Sequence, residues 1–295
     1  MKVSTFAALV TAFRDDESID FDTIKAQARR QIAAGNDVFA CGTNGDFSSL
    51  TFSEKVKVVE ACAEVTKGKA RLIANAGCPS THETILLGKE FARIGVDAVA
   101  AITPYFISCT QEGLYRHYSR IADELPVPMY IYEIPARTGN SIEVETVARL
   151  AKHKNVKGIK DSSGKTERLD GLSEIVKANA GFELYAGTDS LILYGLRKGA
   201  VGCVSGLANV IPAWIRAVGD AFASGDAAAA DAAQAKVNQV REVLYAPGYP
   251  PAMVKRTLYL MDKAVGNNRL PALVPDEKID SALRAAIEQF GLTRA

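Results

Sequence analysis

The chain has 295 residues, 48% hydrophobic and 23% charged, enough apolar material for a large buried core beneath a water-facing surface. Thirty-five Lys and Arg stand against 34 Asp and Glu, so no net field directs the protein to nucleic acid or to an acidic membrane, and a small-molecule partner is expected. The five cysteines, Cys41, Cys62, Cys78, Cys109 and Cys203, are never two residues apart, which argues against a disulfide framework and a zinc ribbon.

In chain order, Lys2 and the apolar run at 3–10, with Val10-Thr11-Ala12 as a conceivable cleavage site, faintly resemble a secretory signal. The same run makes a good first strand for the helix expected at 22–34, and that reading is preferred, so the protein is expected in the cytoplasm. Short apolar runs at 3–13, 37–42, 70–76, 98–103, 128–134, 156–160, 182–187 and 201–205 read as strands. Segments with a period near 3.6 at 53–65, 80–94, 111–125, 143–153 and 168–178 read as the helices between them. Thr51-Phe52-Ser53-Glu54 and Thr110-Gln111-Glu112 offer capping oxygens and first-turn carboxylates. No apolar stretch reaches the ~20 residues of a membrane span.

Strict alternation predicts an α/β fold, a (β/α)8 TIM barrel of parallel strands joined by right-handed crossovers; an open doubly wound sheet is the alternative. Past the eighth strand, helices are expected at 213–223, 227–244, 252–265 and 276–290, with Ser224-Gly225-Asp226 as the break. The expected division is therefore a barrel over 1–224 and a C-terminal helical extension over 225–295 packed on it.

Lys160 ends the run Val156-Lys157-Gly158-Ile159-Lys160, where a buried charge is costly and an amine points to chemistry. One unit earlier, Tyr132 holds the matching place in Pro128-Met129-Tyr130-Ile131-Tyr132-Glu133. On neighbouring parallel strands both side chains would stand at the carboxyl edge, where such sheets place their chemistry. Asp161, by the period of two, should face the other way. Cys41-Gly42-Thr43-Asn44-Gly45-Asp46 ends the second strand with a turn whose N–H groups could cradle a carboxylate. His82, His117 and His153 are isolated, and no metal or cofactor is expected. A phosphate site at Gly187, Gly202 and Gly206 is the competing barrel chemistry, but only Arg197 and Lys198 supply nearby positive charge.

Gly42-Thr43-Asn44-Gly45-Asp46, Thr103-Pro104-Tyr105-Phe106, Tyr132-Glu133-Ile134-Pro135 and Gly158-Ile159-Lys160-Asp161 together resemble the dihydrodipicolinate synthase and N-acetylneuraminate lyase superfamily of class I aldolases. That resemblance implies a lysine Schiff-base lyase with Lys160 as nucleophile, Tyr132 as proton shuttle and Thr43 linking the phenol to the relay. It implies pyruvate bound at Thr43, Asn44 and Gly45, with Val204 lining the pocket and Arg137 holding the second substrate. It further implies Tyr105 and Phe106 at a subunit contact and a homotetramer, a dimer of dimers.

Phe106 stands where the synthase carries a second tyrosine, Asn44 replaces a second threonine, and Glu133 replaces a common asparagine. Asn44 followed by an acid and Phe47 is closer to members that cleave 2-keto-3-deoxy sugar acids or 4-hydroxy-2-oxoglutarate. Phe52, Lys55 and Pro79 replace polar effector-binding groups, so inhibition by lysine is not expected. The expected substrate is a 2-keto-3-deoxy sugar acid or related hydroxy-keto acid cleaved to pyruvate and an aldehyde. Alternatives are 4-hydroxy-tetrahydrodipicolinate synthase (pyruvate plus aspartate semialdehyde), a dehydratase or deaminase on the same platform, or a non-catalytic keto-acid binding protein.

Overall fold

The structure, a computed structural model, describes residues 3–261 and 263–292; Lys2 of the signal-like run and the outermost ends of both expected segments lie outside them. In chain order the elements are β1 Ser4–Ala8, α1 Phe21–Ala33, β2 Asp37–Ala40, α2 Phe52–Thr66, β3 Leu72–Asn75, α3 Thr81–Ile94, β4 Ala98–Ile102 and α4 Gln111–Glu124. They continue with β5 Met129–Glu133, α5 Pro135–Thr138, α6 Val144–Leu150, β6 Val156–Asp161, α7 Thr166–Ala178, β7 Glu183–Ala186, α8 Ile192–Arg197 and β8 Gly202–Ser205. The helices α9 Pro212–Ser224, α10 Ala227–Tyr245, α11 Pro250–Leu260 and α12 Glu277–Phe290 complete the chain.

The eight strands form a closed parallel barrel in the order β1 to β8, the fold expected from the alternation. Every residue of β4 is buried, as is required of a strand covered on both faces, which is why it reads as an unbroken apolar run. The helix starts follow the side-chain chemistry read above. Thr51 caps α2 in a reciprocal box with Glu54, Thr110 accepts from the Gly113 N–H at 3.1 Å, and Asp226 accepts from the Ala229 N–H at 2.9 Å.

Contacts divide the chain into two compact units, Val3–Leu72 with Ser205–Ala295 and Ile73–Val204. In the first, Phe6, Val38, Phe39, Ile24 and Val59 are buried, and α10 packs on α9 while α11 and α12 pack on α10. Here α11 also rests on the turn that follows β2. In the second, Ile102, Ile131, Ile159 and Leu184 of the strands and Leu114, Tyr118 and Ile121 of α4 are buried. Most expected boundaries lie within three residues of the observed ones, and two expected ends overshoot by five. The strand expected at 3–13 ends at Ala8, because past the Leu9 N–H, which still donates to the Phe39 carbonyl, Val10–Phe13 leave the ladder for a buried connection that closes in an isolated bridge between Phe13 and Ile19. The helix expected at 252–265 ends at Leu260, since Ala264 and Gly266 adopt left-handed backbone and Val265 accepts from the Phe13 N–H.

Candidate active site

Strands β5 and β6 pair with Tyr132 opposite Lys160 and Glu133 opposite Asp161, as the matching sequence positions required. Lys160 is 5% exposed and its Nζ lies 3.9 Å from the centroid of the Tyr132 ring, itself buried. Burial pushes the Lys160 ammonium down to about 7, against the opposing charge of Asp189. A large fraction of that amine is therefore neutral, and so nucleophilic, near pH 7. Val204 is buried at the carboxyl end of β8.

Asp161, next along the strand and on the opposite face by the period of two, engages Arg168. Its Oδ2 accepts from Arg168 Nε at 2.8 Å, and Arg168 Nη2 donates to Glu133. Burial pushes the Glu133 carboxyl up to about 7, Arg168 pulling the other way.

After β4 the chain runs through Tyr105 and Phe106 in a loop that Asn140 ties down at three points. Asn140 Nδ2 donates to the carbonyls of Pro104 and Ile107 at 2.8 Å each, and its Oδ1 accepts from the Cys109 N–H at 2.8 Å. The two aromatics part ways there. Tyr105 is half-buried, and burial pushes its phenol up to about 12, whereas Phe106 has a left-handed φ of 77° and is 96% exposed. Arg137 is exposed on α5, just past β5.

In the other compact unit, Thr43-Asn44-Gly45 form a single 3₁₀ turn immediately after β2. The N–H groups of Gly45, Asp46 and Phe47 are engaged by the carbonyls of Gly42 and Thr43, so the anion cradle expected of this turn cannot extend to them. Gly45 is needed for closeness: its carbonyl accepts from Thr11 Oγ1 at 2.7 Å, and a Cβ there would lie 2.9 Å from the Leu9 carbonyl. The Asn44 amide packs against Gly206, and its Oδ1 is buried without a hydrogen-bond partner. Asp46, left-handed at φ 53°, accepts from the wholly buried Lys255 of α11 and from Asn268 Nδ2 at 2.6 Å. Burial pushes the Lys255 ammonium below its usual range, with Asp46 opposing.

Sequence reasoning missed Asp189, Arg168, Asn140 and Lys255. Asp189 had a faint signal, two residues past the strand-ending Gly187. Among the described residues no three His, Cys, Asp or Glu side chains gather as they would around a metal ion.

The sequence matches the dihydrodipicolinate synthetase family over residues 2–290. The chain belongs to that family. It is 38% identical over 285 residues to an uncharacterized DapA-like lyase of Halobacterium salinarum strain R1, covering 96% of this chain and 92% of that one. It is 33% identical to a 4-hydroxy-tetrahydrodipicolinate synthase of Thermosynechococcus vestitus, covering 98% and 97%. A chloride-inhibited dihydrodipicolinate synthase of Acinetobacter baumannii, solved with pyruvate, superposes with a TM-score of 0.93 at 30% identity over 99% of this chain and all of that one. As a member of this family the protein is an enzyme of the lyase class. Among the described residues no helix is long and apolar enough to cross a membrane.

Proposed function

We propose that this family member is a class I aldolase that releases pyruvate from a 2-keto-3-deoxy sugar acid or a related hydroxy-keto acid. The observation that carries the reading is Lys160, a buried amine near neutrality lying on the ring of Tyr132. The neutral Nζ attacks the keto carbon, and the carbinolamine loses water to give an iminium. Tyr132, with Thr43 in its relay, takes the proton of the C4 hydroxyl. The C3–C4 bond breaks, its electron pair passes into an enamine, and the aldehyde leaves. Tyr132 returns a proton to C3, and water then frees pyruvate and restores the amine.

Thr43 and Asn44 hold the pyruvate carboxylate, Gly45 gives the turn its close approach, Val204 walls the pocket, and Arg137 takes a distal carboxylate or hydroxyls. Asn44 favours a hydroxylated substrate, because its partnerless Oδ1 accepts a hydrogen bond that a hydroxyl can give. The exposure of Phe106 and Ile107 supports a subunit contact there, within a homotetramer whose aromatics are Tyr105 and Phe106. Five free cysteines, four of them buried, fit a cytoplasmic protein.

A second reading, 4-hydroxy-tetrahydrodipicolinate synthase, is favoured by the names of the curated relatives and by the place of Arg137. It is disfavoured by Phe106, which has no hydroxyl to pass a proton. Borohydride reduction with pyruvate followed by peptide mass mapping should place the adduct on Lys160, and Lys160→Ala should remove it. A wild-type protein that forms no adduct ends both readings. Pyruvate release from candidate hydroxy-keto acids, run beside a synthase assay with aspartate semialdehyde, then decides between them.

A further inference from the structure

Behind the reactive pair lies a charge cluster that the chemistry above does not use. Tyr132 and Lys160 are register partners, and so are the next residues along their strands, Glu133 and Asp161. Alternation along a strand turns these acids to the opposite face. Arg168, in the first turn of α7, joins them, Nε donating to Asp161 Oδ2 at 2.8 Å and Nη2 to Glu133 Oε2. The remaining oxygens are also used. Glu133 Oε1 accepts from Ser141 Oγ at 2.7 Å and from the Ile142 N–H at 3.2 Å, while Asp161 Oδ1 accepts from Ser163 Oγ at 2.6 Å and the Ser163 N–H at 3.1 Å. Glu133 and Asp161 are 0% and 3% exposed.

A guanidinium is a rigid planar fork, so the distance between two carboxylates held on its edges is fixed in a way that a flexible ammonium cannot match. The two strand ends are thus spaced one residue beyond the reactive side chains. We propose that Arg168, bridging Glu133 and Asp161, is a positioning residue that sets the separation of the Tyr132 phenol and the Lys160 amine. This rests on the reading of that pair as the reacting groups. Iminium formation at Lys160 needs the amine, whereas proton transfer at C3 needs amine and phenol in register. A merely structural cluster would affect both steps through the folded fraction; a positioning cluster affects the second.

Full-length Glu133→Gln, Asp161→Asn and Arg168→Lys, which keep size or charge, separate the two cases. Borohydride trapping with pyruvate reads the first step, and exchange of the pyruvate methyl hydrogens for deuterium, followed by NMR, reads the second. Trapping should stay within about threefold of wild type while exchange falls about tenfold or more, as a displacement approaching 1 Å would cause. Exchange at the wild-type rate, or trapping and exchange falling in proportion, overturns the proposal. Failure of all three variants to fold also overturns it, by marking the cluster as structural. A wild type that traps no pyruvate ends the Schiff-base reading itself, a result separable from these because it precedes any variant.

Discussion

An amine whose pKa lies near 7 responds to pH in two ways, and both can be measured at Lys160. Adduct formation with pyruvate should climb with pH up to about 7 and then level, because only the neutral form attacks. Stability should move in the same direction for a different reason. The unfolded chain holds the lysine proton up to about 10.5 and the folded chain only to about 7, so between those values unfolding takes up a proton and stability rises with pH. Below about pH 7 the cost of burying the charge is present in full, roughly 4–5 kcal/mol. Lys160→Met should therefore raise the urea midpoint at pH 7 and raise it much less near pH 10; equal gains at both would remove burial of the ammonium as the cause. Tyr132→Phe should retain the borohydride adduct and slow turnover by roughly 10² to 10⁴ in a steady-state assay. Lys160 and Tyr132 were legible in the sequence because polar atoms at the end of an apolar strand stand out. Asp189 and Arg168 were not, because acids in turns and arginines at helix starts are commonplace until a fold shows what they face.

The long helices could be read from the chain because their apolar residues keep a period near 3.6, and the strands because short apolar runs alternate with those helices, as the unbroken run of β4 does. The connections were harder. Val10–Phe13 are as apolar as β1 itself, since they too are buried, and hydrophobicity reports burial rather than hydrogen bonding to a neighbouring strand. The four-residue α5 is too short to show a period at all. The end of α11 depended on tertiary contact: Gly266 has a φ of +67° and a Cβ there would fall 1.9 Å from the Phe13 carbonyl. Gly266→Ala must bear both a left-handed backbone and a backbone clash, so it should lower stability by roughly 2–4 kcal/mol in a denaturant titration. A variant as stable as wild type would show that this connection gives way without cost. A second tie to the C-terminal segment, the bidentate hold of Arg269 on Glu54 of α2, keeps the Glu54 carboxyl down at about 2.

The assembly is where sequence alone says least, because an exposed apolar residue and an interface residue look the same in a chain. Phe106 and Ile107 are 96% and 61% exposed on a loop that Asn140 holds in place, an arrangement that costs surface energy unless something covers it. Ile107→Asp should shift the protein to a smaller species in light scattering, and an unchanged mass would remove this loop from the interface. The buried pair of Lys255 and Asp46 carries a different consequence. In the full chain, Lys255→Met would remove the ammonium that Asp46 accepts from while the rest of α11 still covers the turn, leaving a carboxylate only 7% exposed without that partner, a loss worth several kcal/mol in a denaturant titration. Helix α11 thus brings the counterion of that turn together with the cover that buries it.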